Sequence, residues 1–567
     1  MTKMKVMGIS LLALGTLLLC SVPMLAADSP QVIAQQATLF AAGHVTQSYQ
    51  PETFGLHLAN PVHRIPKPYH APVADSVVQH GSAPSGEFNM NYSVLGVGQG
   101  FPGYTDPDAP PDTTAAVGDT EVVEGVNVSY ADFNKSTGAI IPINGQNSTL
   151  FYTPWHQLLP TSLCGEHNPG DIIVKFDRAA HRWILAQNVF TSPYAVCVAI
   201  SQTPTFSDQM WFVYQFPVVN SGFPDYPKWG VWSTGGASDG YFQAWNNFGP
   251  GGSGFQGPVI CGYDRAKMLA GDPSAEQICF QLTQHEDSIL PADRDSPVPP
   301  PGSEDEFFIG SVGDVDNSHL SLYSMHINSW SPANATMTGL NNSQLIAVAP
   351  YTPSCNGQFG GACVPQPNVG GSNDLDSLGD RLMYRFSYYE DMPASNARAT
   401  PPIPEPEQHW FVDFDVWNAA TQAIGVRWFE FIGNLHTIPV TGLQVFQQGT
   451  YVGTTGDSNY RWMGSMARDN VRDILVGYSE SSTTVFPSVA VAGREFTDTL
   501  GTLGPEAIAV NGAGSQEDTA NRWGDYSTMV LDPTDNCTFY FVEEYQMVTG
   551  TFDWSTNLSS WKFPTCH

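Results

Sequence analysis

The sequence predicts an all-β fold, a seven-bladed β-propeller, and three observations carry that reading. Aromatics make up 12% of the 567 residues, punctuated by 53 glycines and 44 prolines, a texture of short strands and tight turns. No stretch sustains a long amphipathic helical period, and the best short helix candidate is DRAKMLA, Asp264 to Ala270. One template then recurs along the chain: an acidic or arginine-bearing entry, an apolar strand, a turn and further strands.

The N-terminus reads as a secretory signal over residues 1–26. Lys3 and Lys5 precede an apolar run from Val6 to Cys20, and Met24-Leu25-Ala26 forms a cleavage site. The run is short for a transmembrane helix, and Leu19 before Cys20 argues against a lipid anchor, which prefers a small residue there. A secreted chain is expected, extracellular or periplasmic, with no transmembrane segment. Residues 27–90 are rich in Pro, Ala, His and Gln and read as an extended linker or pro-segment. Residues 91–567 form the predicted propeller.

The template begins at PDTTAAVG (Pro111), GDIIVKFD (Gly170) and PDYPKWGVW (Pro224). It continues at EDEFFIGS (Glu304), GDRLMYRF (Gly379), YRWMGSMARD (Tyr460) and WGDYSTMVLD (Trp523). Entries at 112, 171, 225, 305, 380, 461 and 525 are 54 to 81 residues apart, room for a four-stranded blade and its loops. The fourth segment fits least well, so six blades is the alternative, and a pair of β-sandwiches is the runner-up fold. KFDRAAHRW and VLDPTDNCTFYF read as strand, Asp-started turn, strand. Closure by pairing FNMNYSVLGV (Phe88 to Val97) with WSTNLSSWKF would remove an exposed edge.

The formal net charge is −32, with only 22 Lys plus Arg. That excludes a nucleic-acid partner, which needs basic patches. Without Cys20, eight cysteines remain. Local pairing gives Cys164–Cys197, Cys261–Cys279, Cys355–Cys363 and Cys537–Cys566, each stapling a blade or loop.

In a propeller the strand entries meet at the channel mouth. The candidate ligand-binding residues are therefore Asp112, Asp171, Asp225, Tyr226, Arg381, Arg385, Arg461, Trp462, Arg522 and Trp523. Asp380 and Asp525 are candidates for acid and base, with Tyr526 as proton donor. Asp314 and Asp316 are weak metal candidates, and calcium is the one cofactor the sequence suggests. HExxH does not occur.

APPDTTAAVG (Ala109), FPDYPKWGVW (Phe223), CGYDRAKMLAG (Cys261), LGDRLMYRFSYY (Leu378), YRWMGSMARD (Tyr460) and RWGDYSTMVLDPTDNCTF (Arg522) resemble a group of uncharacterised exported bacterial β-propeller proteins. The resemblance runs from about Pro111 to the C-terminus and implies a fold without an activity. A broader one is to sialidase-like and other carbohydrate-active propellers. Asp boxes of the SxDxGxxW type are absent, so no catalytic residue is carried over from it. Two function classes follow: a secreted enzyme acting on extracellular glycans (hydrolase or lyase), or a non-catalytic propeller binding a glycan, peptide or protein, or serving as a cell-surface scaffold. A monomer is expected.

Overall fold

The computed structural model describes residues 32–46, 63–79, 87–104, 109–143, 153–168, 170–236, 238–302, 304–311, 317–330, 335–338, 344–358, 361–391, 407–433, 442–454, 456–518 and 520–567. The signal-peptide segment and the metal candidates Asp314 and Asp316 lie outside these residues.

The fold is all-β, built from antiparallel meanders of four or five strands. The first begins with Thr113–Val117 and ends with Ile140–Ile141. The second runs from Ile173–Asp177 to Met210–Pro217, and the third from Phe223–Trp232 to Glu276–Gln281. The fourth starts at Asp287–Arg294, the fifth at Met383–Glu390, the sixth at Tyr460–Arg468 and the seventh at Thr528–Leu531.

First strands of successive meanders neighbour one another, and the last returns to the first. Particular bonds mark the joints. Thr114 Oγ1 donates to Ile172 O at 2.9 Å, and Ala292–Arg294 pairs in parallel with Phe386–Tyr388. The Met529 N–H donates to Ser465 Oγ at 2.8 Å, and Thr528 Oγ1 to Thr113 O at 3.2 Å. The core lies between adjacent sheets: Trp155, Trp183 and Trp211 fill the gap between the first and second meanders, and Phe539, Phe541 and Trp561 pack on the sixth. Indoles and phenyl rings give such a gap most of its buried apolar area.

The turn chemistry is local and legible. Asp177 Oδ1 accepts the Ala179 and Ala180 N–H groups at 3.1 Å, and Asp532 Oδ1 accepts the Thr534 N–H at 2.7 Å, the usual reason for Asp at such corners. The helix Arg265–Ala270 is capped by Asp264, whose side chain accepts the Lys267 N–H, and Gly271 closes it in the left-handed conformation. All four disulfides pair as the sequence reading expected.

Two expectations change. The fourth meander does not enter at Glu304 or Asp305. Its first strand is Asp287–Arg294, and Glu306–Ser311 is the second, with Ser311 opposite Asp287. Glu304 and Asp305 therefore sit at the far end from the entry. The true first strand, DSILPADR, carries a proline and three charges, so its apolar signal is weak. The described parts of residues 27–90 are extended but packed into the body. Val32–Gln36 and Leu39–His44 add outer strands to the third and second meanders.

Asn89–Gly98 pairs antiparallel with Trp554–Lys562 as the outer strand of the seventh meander. Glu124 of the first meander fastens this closure, accepting the Val97 N–H at 3.0 Å and the Thr556 hydroxyl at 2.5 Å. Gly96 is required beside it, since a Cβ there would lie 2.5 Å from the Glu124 carboxylate. Burial pushes the Glu124 carboxyl up to about 7. A raised carboxyl contributes stability below its unfolded value that is lost as pH rises through its folded value. Glu124→Gln should therefore gain about 3 kcal/mol relative to wild type between pH 4.5 and 8, measured by urea unfolding. A pH-independent difference would contradict it.

Candidate functional site at the mouth

The mouth is the end of the circle where the first strands begin. Asp112 and Asp171 take left-handed backbone, with φ of 49° and 54°, a region that aspartate tolerates better than most residues. The Asp171 N–H donates to Asn127 Oδ1 at 2.8 Å, and Asp112 Oδ1 accepts the Asp525 N–H at 2.6 Å. The strained entry turns thus aim both carboxylates inward.

Both act electrostatically on Lys228, which the sequence reading did not single out. Lys228 is fully buried, and its Nζ lies 3.5 Å from the ring centroids of both Tyr226 and Tyr526, a cation–π sandwich. Burial pushes this ammonium down to about 7, against the pull of Asp171, Asp525 and Asp112. Burial drives the Asp112 carboxyl well up, aided by Asp525 and Asp171, and drives Asp171 up to about 7, aided by Asp225. Asp112 and Asp171 act on each other's charge, so the pair holds a proton near neutrality.

Asp525 is half-buried and accepts Arg522 Nη2 at 2.6 Å. Asp225 faces His63 Nδ1 at 3.5 Å, and that hydrogen bond raises the imidazole. Asp380 chelates Arg381 at 2.7 and 3.2 Å, with both side chains 1% exposed. Burial pushes Asp380 up, but Arg381 outweighs it and holds the carboxyl below its ordinary range. The Arg381 guanidinium stacks 4.6 Å from the Tyr226 centroid. The Tyr526 hydroxyl is buried with no hydrogen-bond partner among the described residues, and burial, then Asp171 and Asp112, push it well up. It is a poor proton donor at neutral pH.

Other sequence candidates go elsewhere. Trp462 and Trp523 are fully buried and pack together at 5.5 Å, offering no face to a ligand. Arg461 points into its own sheet, bonding Asp457, Glu480 and Glu506. Arg385 lies deeper on the axis, donating to Asp293 at 2.7 Å, Met529 O at 2.7 Å and Asp295. Lys175 reaches the same Asp293 and Tyr384 OH. These deep residues and Arg178 line a small cavity.

Two acidic groups bring ligand atoms within 4.8 Å of one another: Asp391, Glu407 and His409, and Asp457, Glu480 and Glu506. Arg468 and Arg472 already hold Asp391, and Arg461 holds the second trio. Guanidinium groups meet the need for positive charge that a calcium ion would otherwise meet.

The mouth also has a cover. His63, Arg64 and Lys67 of the N-terminal segment reach Asp225, Asp376 and Asp287 respectively, and Lys67 also donates to the Asp380 carbonyl. Asp287 and Lys228 had detectable signals. EDSIL repeats the acidic-entry template, and Lys228 follows Asp225-Tyr226-Pro227 in a chain poor in basic residues.

No protein-family model matches the chain, and no curated protein does. Solved structures give remote likenesses. The GH93 α-L-arabinofuranosidase of Fusarium graminearum, complexed with arabinobiose, is 8% identical with a TM-score of 0.33, over 67% of this chain and 89% of its own. Drosophila Semaphorin 1b, extracellular domains 1–2, is 9% identical with a TM-score of 0.34, over 85% and 88%. A protein of unknown function from Dyadobacter fermentans is 9% identical with a TM-score of 0.32, over 87% and 98%. A glycosidase stands beside a semaphorin at similar values, so the likeness names no activity.

Proposed function

We propose that the chain is an exported seven-bladed β-propeller, with residues 1–26 as signal peptide and 91–567 as the propeller, that binds a polar extracellular ligand at its mouth without transforming it. One observation carries the binding reading: carboxylates from separate entries, Asp112, Asp171 and Asp525, gather at the mouth with two buried cations, Lys228 and Arg522, among them. Charges gathered from distant parts of a chain cost desolvation, and binding sites are where that cost recurs. The half-buried Asp225 and Asp525 are the acceptors a ligand would meet. Catalysis is less well supported. Asp380 is locked to Arg381 and Tyr526 is a weak acid.

A second reading, glycan hydrolysis or lysis, draws on the raised carboxyls of Asp112 and Asp171. Glycan and peptide arrays probed with wild type, Asp225→Asn and Asp525→Asn test the first reading. Both variants should lose about tenfold or more in affinity for the ligand that wild type captures. A hydrolysis screen of wild type, Asp525→Asn and Asp380→Asn runs beside it. Turnover by wild type that Asp525→Asn abolishes would replace binding with catalysis.

A further inference from the structure

Residues 63–67 read His-Arg-Ile-Pro-Lys, and they lie across the mouth like a bound peptide. Lys67 is inserted most deeply. Its side chain is 1% exposed, 2.9 Å from Asp287 and 3.1 Å from Ser311 Oγ, and it also donates to the Asp380 carbonyl. Arg64 pairs with Asp376 and His63 with Asp225. Ile65 between them is buried in the apolar cluster that contains Tyr226 and Tyr526. Pro66 fixes its own φ and pushes Ile65 toward extended backbone, so consecutive side chains spread along the mouth.

The manner of attachment changes along the segment. His63, Arg64 and Lys67 hold the first part through side chains. From His70 on, backbone bonds take over: His70 N–H to Gly357 O at 3.4 Å, Gln79 N–H to Thr450 O at 3.0 Å and Thr450 N–H to Val77 O at 2.9 Å. Asp75 pairs with Arg427 at 2.7 Å. The later part is an anchor. The earlier part is a set of ion pairs that can exchange.

The carboxylates alone would not make a site. Beneath the segment, however, hydrogen-bonding capacity remains unused. Asp287 is 2% exposed and keeps one carboxylate oxygen buried with no hydrogen-bond partner among the described residues. Arg522, 4% exposed, keeps Nε and Nη1 buried with no hydrogen-bond partners among the described residues, beside the Asp525 carboxylate that could accept more. The occupant satisfies the mouth only in part.

Building on the binding reading above, we propose that the mouth recognises an extended cationic peptide, with two basic residues three apart around an apolar residue and a proline, and that residues 63–67 occupy this site in cis as a tethered mimic. The ammonium goes to Asp287, the guanidinium to Asp376, and the apolar residue to the floor beside Tyr226 and Tyr526. A free peptide must displace the tether, so the intact chain binds it weakly.

The test uses the full-length protein and a fluorescent peptide of residues 60–70, NPVHRIPKPYH. Arg64→Ala/Lys67→Ala should bind it at least about tenfold more tightly than wild type, with affinity falling as salt rises. Adding Asp287→Asn/Asp376→Asn should abolish the gain, and a peptide with both basic residues replaced by glutamine should not bind. Equal affinity for the charged and uncharged peptides, or none for the opened variant, overturns the proposal. A neutral oligosaccharide panel on the same variant separates the two readings. Sugar binding without peptide binding overturns the peptide and keeps the mouth, whereas binding of neither overturns both. Should the opened variant not fold, hydrogen exchange on wild type decides. Saturating peptide should raise deuterium uptake in residues 63–67, and unchanged uptake overturns the proposal.

Discussion

Lys228→Met is expected to gain about 4–5 kcal/mol of stability relative to wild type as the pH falls from 10.5 to 7. Burial holds the Lys228 ammonium down to about 7 against an ordinary 10.5, so between those values the unfolded chain takes up a proton that the folded chain does not, and wild type loses stability as the pH falls. Methionine fills the space between the Tyr226 and Tyr526 rings without titrating. Urea unfolding of both proteins at pH 10.5 and pH 7 checks this. Asp171→Asn should deepen the loss in the lysine protein, because that carboxylate pulls the ammonium up. A difference between Lys228→Met and wild type that is the same at both pH values would show that Lys228 contributes packing alone.

Arg385→Met should instead cost about 3–5 kcal/mol. Arg385 joins three first strands, through Asp293 and Asp295 of the fourth meander and Met529 O of the seventh. Its removal leaves two buried carboxylates, Asp293 with Lys175 beside it and Asp295 with Arg178 acting on it from further away. Arg385→Lys should not rescue it, since a single ammonium cannot span three acceptors that the planar fork reaches at once. Thermal and urea unfolding of both variants check this. Near-wild-type stability in the lysine variant would mean that charge matters here and geometry does not.

The contrast between these residues and the sequence reading is instructive. Features set by local chemistry were legible. Asp177 and Asp532 start turns because their side chains accept nearby N–H groups, and the disulfides join cysteines close in sequence. The closing strand Asn89–Gly98 could be read because an unpaired edge needs a partner. The strands Val32–Gln36 and Leu39–His44 were not, since an outer edge strand has one neighbour and needs little alternation. Asp287 was overlooked because DSILPADR spends several positions on charges and a proline.

At the mouth, Asp112, Asp171, Asp225 and Asp525 were legible from the entry template. Arg461 and Trp462 shared that template, yet the structure turns them into their own sheet and core. Strand alternation sends neighbouring side chains to opposite faces, and one residue of register decides which. Lys228 had a signal in its place after Asp225-Tyr226-Pro227, but that local signal says nothing of what surrounds it. Its role comes from groups more than 50 residues away on either side, such as Asp171 and Asp525, which only closure of the circle brings together.

The central claim is that the entry carboxylates surround a buried Lys228. The most direct measurement is the titration of its ammonium, followed by NMR in protein carrying 13C- and 15N-labelled lysine, with Lys228→Met assigning the signal. A midpoint at about 7, moving lower still in Asp171→Asn, is the predicted result. A midpoint at the ordinary 10.5 that ignores Asp171→Asn would contradict the arrangement.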